Sequence, residues 1–124
     1  RRQIVDLYNQ ELAELPLDVP PELANVESGL HLFPIRLHLD QLSIDRSQFI
    51  DELTELNIGS SVHFIPIHLH PYYAEKYSFA RSDFPVAVAA YERLVSLPLN
   101  NKMTVDDARD VVEAVRSVCE QHPA

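Results

Sequence analysis

Ile4, Leu7, Tyr8, Leu12 and Leu15 recur at helical spacing, with only Glu11 breaking the apolar stripe. Residues 2–15 therefore read as an amphipathic helix. Pro16, Pro20 and Pro21 end it and force an extended connection through 16–22, and 23–29 read as polar loop. HLFPIRLHL at 31–39 has strand length; His31, Phe33, Ile35, Leu37 and Leu39 fall on one face, Leu32, Pro34, Arg36 and His38 on the other. Pro34 lacks a ladder donor, which predicts an edge or a bulge. Asp45 and Gln48 form a capping pair for a helix to about residue 57, whose stripe is Phe49, Ile50, Leu53 and Leu56. Gly59 is the expected turn into a second strand, Ser61–Ile67, broken by Pro66.

Beyond it, 71–77 read as a short helix or turn. Pro85 opens a helix to about Leu94, and Val95–Leu97 is a short strand stopped by Pro98. Thr104 and Asp107 repeat the capping pattern before a helix that carries Val105, Ala108, Val111, Val112, Val115, Val118 and Cys119 at helical spacing. The order of elements predicts an α+β fold: a small antiparallel sheet of about three strands with helices mainly on one face. The opposite sheet face then needs a cover from elsewhere.

Composition narrows the function. A chain of 124 residues, 46% hydrophobic, makes one domain. Ten basic against 19 acidic residues give −9, which repels phosphate backbones and anionic membranes and excludes nucleic acid as a main partner. No apolar run approaches the ~20 residues of a membrane span. The single Cys119 cannot make an internal disulfide, which fits a reducing, cytoplasmic setting. Only two glycines are present, so there is no Gly-rich phosphate loop. Both lysines, Lys76 in YYAEKYSF and Lys102 in NNKMT, lie outside the apolar context that would lower a lysine pKa for carbonyl chemistry. The chain opens on Arg1 rather than methionine and is read as a piece of a longer protein.

The chemistry-bearing stretch is IGSSVHFIPIHLHPYY at 58–73. A neutral imidazole donates and accepts hydrogen bonds, so His63 beside Phe64 can serve as a sugar contact or as a core histidine. His68 and His70 share a face in an extended chain and could join His63 or Glu75 around a metal. Their spacing lacks the recognisable three-ligand pattern of a zinc site, so no metal site is assigned. The plainer expectation is that His68 packs and His70 is exposed. Arg36 among apolar neighbours needs an acid or an anion, with an acid the first expectation. Of Tyr72 and Tyr73, one is expected to cap the core at the strand end. Cys119 reads as an inert core thiol, and no serine sits in a G-x-S-x-G turn.

Taken in order, RRQIVDLYNQELAEL, HLFPIRL, DRSQFIDELTELNI, VHFIPIHLHPYY, FPVAVAAYERLVSLPL and MTVDD resemble the C-terminal part of the DegT/DnrJ/EryC1/StrS sugar aminotransferases. VHFIPIHLHPYY is similar to that family's VHY-x-P-x-H-x-x-x-Y segment. The resemblance implies that residues 1–124 are the small C-terminal domain of a fold-type I pyridoxal-phosphate (PLP) enzyme, with 1–15 the helix leading out of the large domain. It also implies that His63, Phe64 and His68 contact a nucleotide-linked keto-sugar. Arg36 and Tyr72 are further candidates.

By the same resemblance the intact enzyme is a cytoplasmic homodimer. It takes its amino group from an amino acid, glutamate above all, and serves surface polysaccharide or lipopolysaccharide synthesis. PLP and the lysine that holds it belong to the large domain, so this chain alone should be inactive, with no catalytic or cofactor-binding residue of its own. Two departures stand out: Phe64 replaces the family's Tyr and loses a hydroxyl, and Val88 replaces its Glu. Two other readings compete. A free-standing α+β ligand-binding or regulatory module would be well behaved by itself. A small metalloprotein would hold stoichiometric metal on His63, His68 and His70.

Overall fold

The computed structural model describes residues 1–124. Helix α1 (Arg2–Glu11) leads into strand β1 (Leu17–Asp18), followed by β2 (Phe33–Leu37) and helix α2 (Arg46–Glu55). A 3₁₀ turn (Ile67–Leu69), helix α3 (Pro71–Tyr77), a second 3₁₀ turn (Arg81–Asp83) and helix α4 (Pro85–Arg93) come next. Strand β3 (Leu94–Leu97) and helix α5 (Val105–Gln121) complete the chain. The three strands form one antiparallel sheet in the order β1-β2-β3. Its register sets Leu17 against Leu37 on one side of β2, and Phe33 against Leu97 on the other.

The alternation in β2 is as expected, with Phe33, Ile35 and Leu37 buried. They join Tyr8 and Leu12, Phe49 and Leu53 of α2, and the Val111–Cys119 stripe of α5 in a single apolar cluster. Helices therefore lie mainly on one sheet face. The Tyr8 ring stands 4.9 Å from that of Phe33, and its hydroxyl donates to the Pro98 carbonyl at 2.9 Å. Burial pushes its phenol well above the usual tyrosine range.

Both capping boxes form. The Gln48 N–H donates to Asp45 Oδ1 at 2.9 Å while the Asp45 N–H donates to Gln48 Oε1 at 3.0 Å. Thr104 and Asp107 make the same exchange at the start of α5, and these hydrogen bonds hold the Asp107 carboxyl below its ordinary range.

The strand assignments need correction. Residues 61–67 do not form a strand: Ser61 alone makes a bridge to Ser96, and the chain then leaves the sheet. The third strand is instead β1, in the stretch read as an extended connection. Pro16 explains the exchange. It ends helical geometry before Leu15, so α1 stops at Glu11, and the Pro16 carbonyl accepts from the His38 N–H at 2.9 Å, aligning the next two residues on β2. Pro34, expected at an edge or bulge, lies in the central strand. It is tolerated because β1 reaches only Leu37 and Arg36 and leaves no ladder beside Pro34 on that side. The turn after α2 is made by Asn57, whose φ of 62° is left-handed, rather than by Gly59.

Candidate functional site

The second sheet face carries Pro34, Arg36 and Ser96, because Pro34 pairs with Ser96 and Arg36 lies two residues along the same strand. Helix α4 crosses β2 and buries Val88 apart from the main cluster. Arg46 fastens α4 to α2, donating to the Tyr91 carbonyl at 2.6 Å with its guanidinium 4.6 Å from the Tyr91 ring centre. Val88, which departs from the Glu that the resemblance implies at this position, thus fills space.

Ser96 is the pivot of the site. It is buried in β3, and its backbone exchanges both hydrogen bonds with Ser61, N–H to O at 3.2 Å one way and 2.7 Å the other. Its hydroxyl meets His63 Nδ1 at 2.9 Å. One residue therefore fixes both the start of the histidine segment and the orientation of its first imidazole. The His63–Phe64 peptide is cis, and the Phe64 ring stands edge-on to His63 with centroids 4.7 Å apart. Phe64 itself is 74% exposed. An imidazole held by a buried hydroxyl next to an open aromatic face can hydrogen-bond a polyol and stack on its apolar side.

His68 follows in the 3₁₀ turn and is only 6% exposed; its ring lies 4.6 Å from that of Phe84 and its Nε2 is buried without a partner. It packs, while His70 is exposed at the start of α3. No group of three His, Cys, Asp or Glu side chains comes together in a way that could hold a metal ion, so the structure does not gather the three histidines into a ligand set. Tyr72 and Tyr73 cap no core: α3 buries none of its residues.

Arg36 takes the acid partner expected of it, Asp18 on β1, at 3.4 Å. His38 reaches the other carboxylate oxygen at 2.9 Å. The hydrogen bond from His38, with the positive charges of His38, Arg36 and Arg93, holds the Asp18 carboxyl below its ordinary range. Cys119 is a buried thiol, as read from its helical position.

The sequence reading missed Ser96, Phe84 and Asp18. Ser96 carried a signal, a lone hydroxyl inside the apolar LVSL strand; Phe84 and Asp18 gain their roles only through chain folding. An open groove of about 550 Å³ runs along Ala80, Arg81, Pro85, Val88 and Glu92. A more enclosed cavity of about 280 Å³ lies between α1 and residues 20–33 and shares no residue with the histidine segment.

Comparison with known proteins places these features in a lineage. The profile of the DegT/DnrJ/EryC1/StrS aminotransferase family matches residues 1–116. An uncharacterised protein of Methanocaldococcus jannaschii is 43% identical over 98% of this chain and 32% of its own length. The spore coat polysaccharide biosynthesis protein SpsC of Bacillus subtilis is 38% identical over 95% of this chain and 31% of its own. Among solved structures, the PLP-form of Spr1654 from Streptococcus pneumoniae, assigned as a sugar aminotransferase, superposes with a TM-score of 0.88 at 28% identity, covering 97% of this chain and 30% of that one. DesV of S. venezuelae, solved with a ketimine intermediate, gives 0.85 at 26% identity over 96% of this chain and 31% of that one. The chain thus spans about a third of the length of the relatives it matches. No helix is long and apolar enough to cross a membrane.

Proposed function

The chain belongs to the DegT/DnrJ/EryC1/StrS aminotransferase family, and from that premise we propose that residues 1–124 are the small domain of a PLP-dependent enzyme that aminates a nucleotide-linked keto-sugar. Residues 1–15 lead out of a large domain in this reading. The observation that carries it is the pairing of His63 with buried Ser96 beside an exposed Phe64, in the segment that matches the family's histidine motif.

His63 offers its free ring nitrogen to a sugar hydroxyl, and Phe64 lies against the apolar side of the ring. The tyrosine hydroxyl that the family has at the Phe64 position is gone, which leaves that contact to shape and dispersion. His68 braces Phe84 from within and stands where the family has its second histidine. Arg36 and Tyr72 are the further candidates for substrate contact in this reading.

The residues here do not fit PLP itself. Lys76 is exposed on α3 and donates to the Tyr72 hydroxyl at 3.0 Å, and Lys102 is exposed in a turn. Neither is a buried amine, and the two glycines build no phosphate cup. Cofactor and lysine are assigned to the remainder of a longer, homodimeric, cytoplasmic protein, with glutamate the amino donor and surface polysaccharide synthesis the setting, in line with the name of the SpsC relative. The isolated chain is then inactive.

The test is the visible absorbance of the longer protein before and after glutamate is added. A PLP band that converts to the pyridoxamine form supports the reading. A colourless protein, even after reconstitution with PLP, overturns it in favour of a free-standing binding module.

A further inference from the structure

The hydroxyl of Ser96 and the Nδ1 of His63 share one hydrogen, and where it sits decides what His63 shows to a ligand. The two atoms are 2.9 Å apart. Ser96 Oγ makes no other hydrogen bond, and the residue is only 4% exposed. Pro34, its partner across β2, brings no polar side chain. The Ser96 backbone is already committed to Ser61 in both directions. Nδ1 is therefore the one acceptor within reach of the hydroxyl.

Two arrangements fit the distance. In one, an Nδ1–H donates to Oγ, and the hydroxyl hydrogen is then left in the interior without an acceptor. In the other, the hydroxyl donates to a bare Nδ1, and only lone pairs of Oγ go unused. A buried donor without a partner is rarer than an under-used acceptor, so the second arrangement is the favoured one. A neutral ring then carries its hydrogen on Nε2. That nitrogen makes no hydrogen bond within the chain and is not buried.

We propose that Ser96 is a positioning residue that holds His63 as the Nε2–H tautomer, so that the imidazole meets the substrate as a hydrogen-bond donor. This rests on the function proposed above and deepens it by naming the kind of atom His63 takes. That atom is an oxygen with a lone pair, in a carbonyl, phosphoryl or hydroxyl group of the nucleotide-linked sugar. A protonated amino group has no lone pair to give. His63 therefore reads the oxygens of the ligand and not the nitrogen that amination installs. Ser96 itself is buried and acts only through the ring.

The test is a long-range proton–nitrogen correlation spectrum of the isotope-labelled chain at about pH 8, where an ordinary imidazole is neutral. His63→Gln identifies the His63 signals, and His70, exposed at the start of α3, serves as the unconstrained reference. The expected pattern is a single Nε2–H tautomer for His63, its Nδ1 resonance moved upfield of that of His70 by the hydrogen bond it accepts. Ser96→Ala removes that shift and lets the two tautomers average as they do in His70. Ser96→Thr keeps the hydroxyl and retains the parent pattern, which a merely structural role of the serine does not explain. Backbone amide spectra of both variants keep the dispersion of the parent and show that they are folded. An Nδ1–H tautomer overturns the proposal. So does a His63 that averages in the parent as His70 does, or one that Ser96→Ala leaves unchanged. The spectrum involves no PLP, so a colourless longer protein and a failed tautomer are separate outcomes.

Discussion

At the scale of single residues, Asp18 shows how one carboxylate ties the sheet edge to its centre. It accepts from His38 at 2.9 Å and pairs with Arg36 at 3.4 Å. Its folded pKa lies below the unfolded one, so its stabilisation is fully present above the ordinary carboxylate range and is lost as pH falls through that range to the depressed value. Asp18→Asn removes this linkage. The expected result is that unfolding free energy below about pH 4 falls less steeply in the variant than in the parent. Equal slopes in acid urea titrations would contradict the assignment. The interaction is half-exposed, so the effect at neutral pH is small. Neither Asp18 nor its role was legible from the sequence, because the pairing needs β1 and β2 side by side. Arg36 was legible as a residue that required an acid, since an arginine among apolar neighbours is costly alone.

At the scale of elements, the helices were legible and the strands only in part. A helix declares itself by local signals: apolar spacing, a capping pair, a proline at the first turn. Asp45 with Gln48, Thr104 with Asp107 and Pro85 all do what those signals say. Each cap satisfies otherwise unpaired N–H groups, so Asp45→Ala and Thr104→Ala should each cost about 1 kcal/mol, read as a lower urea midpoint at unchanged slope. A variant with no change would show that water replaces the cap without loss. Strands depend on partners far along the chain. Ser61–Ile67 has strand-like composition, yet only Ser61 meets β3, while the unremarkable Leu17–Asp18 pairs because Pro16 and His38 set its register. The apolar residues of 64–67 were read as part of that strand, whereas Phe64, Ile65 and Ile67 are exposed outside the sheet. The same absence of long-range information hid Ser96, which decides where His63 points.

At the scale of the whole molecule, the cluster that α1, α2 and α5 build on the sheet makes the two chain ends depend on each other. Arg116 of α5 donates to the Glu11 carbonyl and side chain at the end of α1, at 3.3 and 3.2 Å. The tail after α5 is held as well, with the Ser43 N–H donating to the His122 carbonyl at 2.9 Å. Cys119 reports on this arrangement, being buried on the core side of α5. Burial, with a smaller contribution from the Glu120 charge, pushes its thiol up to about 11. At pH 8 the reactive thiolate is then on the order of a thousandth of the population, against roughly a quarter for an ordinary cysteine. Labelling by an aromatic disulfide should therefore be slow in the native chain. In a urea series it should accelerate with the same midpoint as the loss of far-UV circular dichroism, because α5 cannot leave the sheet without opening the core that α1 and α2 share. Rapid labelling at urea concentrations where the helical signal is intact would show that α5 opens by itself, and that the cluster is two cooperative units rather than one.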